Sequence, residues 1–153
     1  MKVLFAVLLL LFSSCTRWTE NIPGLGRDPE SVVRVFLETS AGAKGASDKQ
    51  KISDFCVGEM KNAIDGMSQE AFKLTYLDAK ITVREIKILD SAILGDEAKV
   101  RYEVSVENAG GTEPTEETNQ REVDLTRVGR KWYVEAIHLS GTDKIAFTRG
   151  MIF

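Results

Sequence analysis

The sequence predicts an α+β domain in which N-terminal helices pack on a curved antiparallel sheet of four to five strands. Between residues 29 and 77, apolar side chains recur every three or four positions, which is the spacing of amphipathic helices. From residue 80 onwards, apolar and polar residues alternate, which is the spacing of half-buried strands. Turn-forming residues separate the alternating segments, so we expect antiparallel neighbours with the helices on one face of the sheet.

The first helix is expected to begin at Pro29. Asp28 precedes it as an N-cap, and proline suits the first helical position because the N–H there has no helical partner. One apolar stripe follows at helical spacing and consists of Val32, Val33, Phe36 and Leu37. Residues 42–45, which begin and end with glycine, are expected to end this helix.

Two further caps predict two more helices. Ser47, with Gln50 three residues later, has the pattern of a capping box. It opens an apolar stripe, interrupted by Gly58, that consists of Ile52, Phe55, Cys56, Met60, Ala63, Ile64 and Met67. Ser68 is expected to cap a short third helix that carries Phe72.

Alternating apolar residues predict the first two strands, and the second is the most clearly patterned. In the first strand the apolar phase shifts between Val83 and Ile86, which indicates a β-bulge, a feature that curves a strand. Gly95 and Asp96 then form a turn. The second strand has an uninterrupted apolar face that consists of Ala98, Val100, Tyr102, Val104 and Val106.

The remaining strands are less evenly patterned. Residues 108–120 are polar and rich in glycine and proline, which predicts a long, mobile hairpin connection. A third strand is expected around Val123 and Leu125. A fourth follows at residues 131–139, and the tail at residues 144–153 is expected to add a short edge strand or to dock on the sheet.

The first 14 residues have the pattern of a secretory signal peptide. A lysine at position 2 is followed by the uninterrupted apolar run of residues 3–12 and then by small residues. In a helix this run covers about 15 Å, half of the ~30 Å that a membrane-spanning helix needs. The segment is therefore expected to direct export rather than to span a membrane.

The signal segment ends in Leu-Phe-Ser-Ser-Cys, which resembles the bacterial lipobox. The resemblance implies that Cys15 receives diacylglycerol and becomes the mature N-terminus. The threonine that follows, in place of an aspartate, implies sorting to the outer membrane, facing the periplasm. Residues 15–27 would then be the acylated cysteine and a tether, and residues 28–153 a single domain. A soluble secreted protein cut near Ser14 is the alternative.

Composition excludes several classes of protein. Among 153 residues, 43% are hydrophobic and 28% charged, as in a globular protein. Twenty Lys and Arg against 23 Asp and Glu give a net charge of −3, which argues against a nucleic-acid partner. One His and two Cys are too few for a zinc or iron–sulfur site, and Glu113, Glu116 and Glu117 lack the EF-hand pattern, so no metal or cofactor is expected.

The order of elements over residues 28–153 resembles the nuclear transport factor 2-like superfamily, a cone-shaped fold. The residues that carry the resemblance are PESVV followed by FL within residues 29–37, AKV and Tyr102 on the second strand, and GRKWYV at residues 129–134. More narrowly, the chain resembles small bacterial lipoproteins with such a domain. The resemblance implies a pocket between sheet and helices, and a homodimer formed through the sheets as one arrangement of this fold.

Three residues are the candidates for pocket chemistry: His138, Tyr102 and Asp124. His138 is in phase with Trp132 and Val134 on the fourth strand, Tyr102 lies on the apolar face of the second, and Asp124 is out of phase on the third. In the superfamily that the chain resembles, the members that are enzymes place His, Asp and Tyr side chains in the pocket. A histidine base assisted by a carboxylate suits proton transfer next to a carbonyl. The residues match no particular enzyme motif.

Cys56 and Trp132 are expected to be structural. Cys56 lies within an apolar helical stripe, where a thiol behaves as a small hydrophobic group rather than a nucleophile. Trp132 is expected to fill the gap between sheet and helices.

The sequence thus predicts a membrane-anchored envelope lipoprotein with a non-catalytic binding or scaffolding domain. One alternative is a carrier of a small apolar ligand in the cone pocket. Another is an isomerase- or dehydratase-like enzyme that uses His138 with Asp124 or Tyr102. The expected partners are the lipid bilayer, through Cys15, and an envelope protein or small apolar ligand, with no nucleic acid.

Overall fold

The structure, a computed structural model, describes residues 28–153. The predicted signal peptide, Cys15 and the tether lie outside these residues. The helices are α1 (Pro29–Ala41), α2 (Asp48–Ser53), α3 (Gly58–Gly66), α4 (Gln69–Phe72), which continues into a π-helical turn (Lys73–Leu77), and α5 (Arg149–Ile152). The strands are β1 (Ile81–Leu94), β2 (Glu97–Asn108), β3 (Thr115–Val128) and β4 (Lys131–Leu139).

The four strands form one antiparallel sheet in the order β1-β2-β3-β4. This confirms the predicted fold class, with four strands in the sheet of the described residues. No helix within them is both long enough and apolar enough to cross a membrane.

Helix α1 begins and ends where the sequence predicts. The carboxylate of Asp28 accepts a hydrogen bond from the backbone N–H of Ser31 at 2.8 Å, which satisfies one of the unpaired donors of the first turn. The predicted stripe of four apolar residues is fully buried against the sheet. The N–H of Gly42 closes the last turn by bonding to the carbonyl of Glu38.

The predicted capping box at Ser47 is wrong. Ser47 already has helical backbone angles, and its side chain makes no cap hydrogen bond. Asp48 instead closes the preceding turn, because its carboxylate accepts from the backbone N–H groups of Lys44 at 2.9 Å and Gly45 at 3.1 Å. The hydrogen bond from Lys44, and next that from the Lys51 side chain, lower the pKa of Asp48 to about 2.

The long apolar stripe after residue 50 is divided between α2 and α3 by an extended segment. Cys56 forms a parallel bridge with Val134 on the free edge of β4. The N–H of Val57 bonds to the Val134 carbonyl at 2.9 Å, and the N–H of Val134 bonds to the Phe55 carbonyl at the same distance. Gly58 restarts the helix with a φ of +55°, a conformation that L side chains rarely adopt.

Strand β1 carries the predicted bulge. Its register with β2 shifts between Val83 and Glu85, and it shifts a second time between Ile88 and Asp90. Each bulge bends the strand and increases its twist. Strand β1 therefore curves along helix α1, which packs beside it.

Strand β3 begins earlier than the sequence predicts. The sequence predicts a hairpin connection over residues 108–120, but Thr115 already pairs with the end of β2, so the connection consists of residues 109–114. The first part of β3 is exposed, so no apolar alternation marks it. Backbone pairing and polar cross-strand contacts, such as Gln120 to Glu103 at 3.0 Å, hold it in place.

The tail docks on the sheet, and it does so as a helix rather than as an edge strand. Ile145 makes one isolated bridge to β4, after which the chain turns into α5. Ile152 and Phe153 are buried. The hydroxyl of Tyr102 donates to the Ile152 carbonyl at 2.5 Å, and the Asn119 amide donates to the Phe153 carbonyl at 3.1 Å. The prediction of an edge strand is wrong, because α5 places the apolar end of the tail in the core.

The space between the helices and the sheet is occupied by side chains. The rings of Phe72 and Tyr76 stack with their centroids 4.8 Å apart. The largest fully buried side chains are Tyr76, Tyr102, Phe36, Phe72 and Phe153, followed by aliphatic residues. Trp132 is buried in the same core, as expected.

Replacing Asp28 by alanine is expected to lower the free energy of unfolding by about 1 kcal/mol, because the cap of α1 is lost. Urea denaturation with an unchanged slope would measure the loss. The matched control is Ser47→Ala, which removes no cap bond and should change stability by less than about 0.5 kcal/mol. An equal loss in both variants would contradict the assignment of the caps.

Candidate functional site

A cavity of about 630 Å³ opens on the face of the sheet opposite the apolar core. Strands β2, β3 and β4 form its floor, and the loop at residues 140–143 forms one wall. The ionisable residues that line it are Lys99, Arg101, Arg121, Glu122, Asp124, His138 and Asp143. We refer to it as the outer cavity.

A chain of polar contacts runs across the floor of the outer cavity. Nε2 of His138 lies 3.0 Å from one carboxylate oxygen of Asp124. The other oxygen accepts a hydrogen bond from Nζ of Lys99 at 2.8 Å, and Lys99 also donates to Glu122 at 2.9 Å. The four side chains therefore form one network that spans three strands.

The network favours the charged forms of Asp124 and Lys99. Burial disfavours the charged form of Asp124, but the hydrogen bonds from Lys99 and His138 outweigh it and hold the pKa of this carboxyl below its ordinary value. The hydrogen bonds to Asp124, and next to Glu122, raise the pKa of Lys99. Asp124 is thus an anion clamped on both oxygens, and Lys99 remains a cation.

A bulge in β4 places His138 in this network. Asp124 pairs with Ala136 and Leu125 pairs with Val134, so Glu135 is an extra residue in β4. The prediction that His138 is in phase with Val134 is therefore wrong, because the side-chain direction reverses at the bulge. Ile137 takes the core position instead and is fully buried.

The structure brings together two of the three predicted pocket residues. His138 and Asp124 meet in the outer cavity, whereas Tyr102 lies on the opposite, core-facing side of the sheet. The Tyr102 hydroxyl donates a hydrogen bond to the backbone carbonyl of Ile152, and burial raises the pKa of this hydroxyl. Tyr102 is therefore a structural residue and cannot act with His138.

Cys56 is a core residue, as expected. Its thiol is buried and donates to the Ile52 carbonyl at 3.3 Å. Burial raises the pKa of this thiol well above its ordinary value, so the nucleophilic thiolate is disfavoured.

Sequence reasoning missed the role of Lys99 and Glu122. The alternation in β2 does place Lys99 on the polar face, but periodicity gives no sign of which strands lie side by side. The pairing of Lys99 with Asp124 depends on the β2–β3 register. Within residues 28–153 there is no group of three or more His, Cys, Asp or Glu side chains that could hold a metal ion.

The arrangement favours polar recognition. The cavity presents fixed positive and negative groups side by side, together with the hydroxyls of Ser140 and Thr142. The His138–Asp124 pair is also able to hold and transfer a proton, because an imidazole beside a carboxylate is the usual form of a general base.

No protein-family model matches the sequence, and no curated protein matches it. Among solved structures, a SEC-C motif containing protein from Rhodopseudomonas palustris is 16% identical with a TM-score of 0.55, and the alignment covers 72% of this chain and 77% of that chain. This likeness shows a shared fold and nothing about activity.

Two further solved structures are similar at lower TM-scores. An NTF2-like protein with a cystatin-like fold from Novosphingobium aromaticivorans has a TM-score of 0.46 and 12% identity over 74% of this chain and 80% of that chain. The VirB8 protein of Agrobacterium tumefaciens has a TM-score of 0.44 and 14% identity over 76% of this chain and 94% of that chain. We draw no conclusion about function from either.

Replacing Lys99 by methionine is expected to raise the pKa of the Asp124 carboxyl, because its strongest hydrogen-bond donor is removed. A carboxyl whose pKa is lowered by folding stabilises the protein above about pH 4, and this contribution is lost as the pH falls through the folded-state pKa. The variant should therefore lose less stability than the parent between pH 7 and pH 3. Carbon-13 NMR titration of the side-chain carboxyl measures the pKa directly.

The matched control is Lys87→Met, which removes a lysine from β1 that contacts Glu85 at 3.1 Å. It should leave the titration of Asp124 unchanged. If Asp124 titrates at the same pH in the parent and in Lys99→Met, the proposed clamp does not exist.

Proposed function

We propose that the protein is a membrane-anchored lipoprotein of the bacterial cell envelope whose domain binds a partner at its surface and is not an enzyme. The observation that carries the proposal is the contrast between the two faces of the sheet. The core-facing side is filled with packed side chains, whereas the opposite side carries an open cavity with a charged floor. We therefore expect the domain to bind its partner at the outer face of the sheet and not between the sheet and the helices.

The volume and composition of the outer cavity favour a polar partner. About 630 Å³ is within the range of roughly 300–1,000 Å³ that is typical of ligand sites. Such sites are mostly apolar, however, and this one is open and charged. It suits a polar segment of another envelope protein better than an apolar small molecule.

The filled core weakens the carrier alternative. A carrier of an apolar ligand needs an apolar space between helices and sheet, and Tyr102, Tyr76 and Phe153 occupy that region with almost no exposed surface. Opening such a space would break the hydrogen bonds of both tyrosine hydroxyls to the C-terminal backbone.

The lipobox-like sequence supports the anchor. Acylation at Cys15 would leave a tether of residues 15–27 before the domain. A flexible chain of this length has a root-mean-square reach of roughly 20 Å. The domain would therefore remain close to the membrane while its surface stays accessible to partners.

One observation favours a second candidate, an isomerase- or dehydratase-like activity. His138 and Asp124 are within hydrogen-bond distance in an accessible cavity, which is the geometry a general base needs. Deuterium exchange next to the carbonyl of a panel of ketones, present in the parent and absent in His138→Gln, would favour the enzyme over the binding domain.

Replacing Cys15 by serine is expected to abolish acylation. Mass spectrometry of the protein from bacterial membranes should show a parent that lacks residues 1–14 and carries acyl groups on the new N-terminus. The variant should lack the acyl mass and leave the membrane fraction. The physical reason is that several acyl chains, at about 0.8 kcal/mol per buried CH₂, hold a protein far more firmly than one chain does.

The control is Cys56→Ala, which removes the other cysteine and should leave the acyl mass unchanged. A parent protein without acyl groups, cut near Ser14 and released as a soluble protein, would contradict the proposed anchor.

A further inference from the structure

We propose that the end of the sheet where β1 turns into β2 and β3 turns into β4 rests on the lipid surface. We call this region the turn end and define it as residues 93–97 and 127–131. The inference rests on the proposed lipid anchor, and it adds an orientation of the domain and a second membrane contact. The two turns are joined directly, because the N–H of Arg127 bonds to the Asp96 carbonyl at 2.7 Å.

The turn end carries exposed apolar side chains. Within residues 28–153, the large apolar side chains that are clearly exposed are Leu74, Leu89, Ile93, Leu94, Val128 and Phe147. Three of these six, Ile93, Leu94 and Val128, lie at the turn end, and Leu94 is the most exposed at 82%. None of the three belongs to the buried core or to the partly buried residues packed against it.

The chain enters the domain at the same end. Near the start of α1, the carboxylate of Glu30 accepts a hydrogen bond from Ser91, which lies four residues before the β1–β2 turn. Near the other end of α1, the Arg149 guanidinium bridges the carbonyls of Ala41 and Ile81, at the far end of β1. Helix α1 therefore runs along β1 and away from the turn end.

This direction determines which part of the domain is nearest to the anchor. Four strand residues span about 13 Å, so the start of α1 lies close to the level of the turns. A flexible tether of this length would have a root-mean-square reach of roughly 20 Å. The 14-residue strands β1 and β3 are longer than this, at about 46 Å. A tether of this reach would therefore favour an orientation with the turn end, and not the β2–β3 connection, towards the bilayer.

The charges at the turn end suit phospholipid headgroups. Asp96 is paired with Arg127 at 2.6 Å, and the other charged residues of the turn end are Glu97, Arg130 and Lys131. The balance is slightly positive and allows contact with zwitterionic or moderately anionic lipids. Both turns are tight, with glycines at positive φ (Gly95 at +64°), so the apolar side chains project without a bulky loop around them.

A lipid surface fits this patch better than a second copy of the chain. A standard protein interface buries about 800 Å² on each partner, and three side chains on two tight turns expose far less. Shallow insertion between lipid headgroups needs only a few apolar side chains next to basic ones.

Tryptophan quenching in the full acylated chain tests the orientation. The protein is reconstituted into vesicles of phosphatidylcholine and phosphatidylglycerol with or without brominated acyl chains, and only protein that floats with the vesicles is measured. The Leu94→Trp variant should lose at least half of its added emission in brominated vesicles. The matched control is Leu74→Trp, on the π-helical turn, where the leucine is 68% exposed. The emission of this added tryptophan should fall little in brominated vesicles. Trp18 and Trp132 contribute the same background to both variants.

Each outcome has one meaning. Equal quenching of both added tryptophans, or none in either, in protein that floats overturns the docking of the turn end while the anchor stands. Protein that does not float overturns the proposed anchor and the orientation with it. Emission that shifts to the blue with protein concentration but is not quenched by bromine indicates a second copy on the patch and also overturns the proposal. In the unsubstituted protein, slower hydrogen exchange at residues 93–97 on vesicles is expected, and its absence contradicts the contact.

Discussion

The docking of the C-terminal residues beneath the sheet is the constraint on which the rest of the structure depends. Three consecutive carbonyls, of residues 151–153, accept hydrogen bonds from side chains on the sheet, donated by Arg121, Tyr102 and Asn119. Arg149 donates to backbone carbonyls at the end of α1, on the π-helical turn and at the start of β1. A short tail thus ties the helices to the sheet.

This arrangement decides where the protein is able to bind other molecules. Because Phe153 and Ile152 close the core-facing side, that side has no room for a ligand without displacing the tail. The free edge of β4 is covered as well, by residues 55–57 on one half and residues 144–146 on the other. The edge of β1 is interrupted by two bulges, which limit the addition of a further strand. The outer cavity and the turn end both lie away from these closed parts of the described domain.

Where one physical signal dominates, the sequence predicts the structure well. The cap at Asp28, the apolar stripe of α1 and the strict alternation of β2 each depend on local periodicity, and the structure has all three. The bulge near Val83 is visible because the apolar phase changes there. The bulge at Glu135 is not, since Val134, Ala136 and Ile137 are all apolar and either register looks acceptable. Because this bulge alone turns His138 toward Asp124, the candidate site could be predicted only in part.

Signals that depend on tertiary contacts were also missed. Ser47 has the pattern of a cap, but the turn closed by Asp48 leaves it in a helical conformation. The first half of β3 is polar on both faces, so only its pairing with β2 defines it as a strand. The partners of Lys99 depend likewise on the register between strands, which a single sequence does not contain.

Native mass spectrometry of residues 16–153, expressed without the acylated cysteine, tests most directly whether the core is filled. A filled core is the reason for placing binding at the surface of the domain. A filled core predicts the bare mass of the chain, with no co-purified small apolar molecule, and the same spectrum reports whether the chain is a monomer or a dimer. A discrete apolar adduct that survives desalting would contradict the account, because such a molecule would have to lie where Tyr102 and Phe153 now pack.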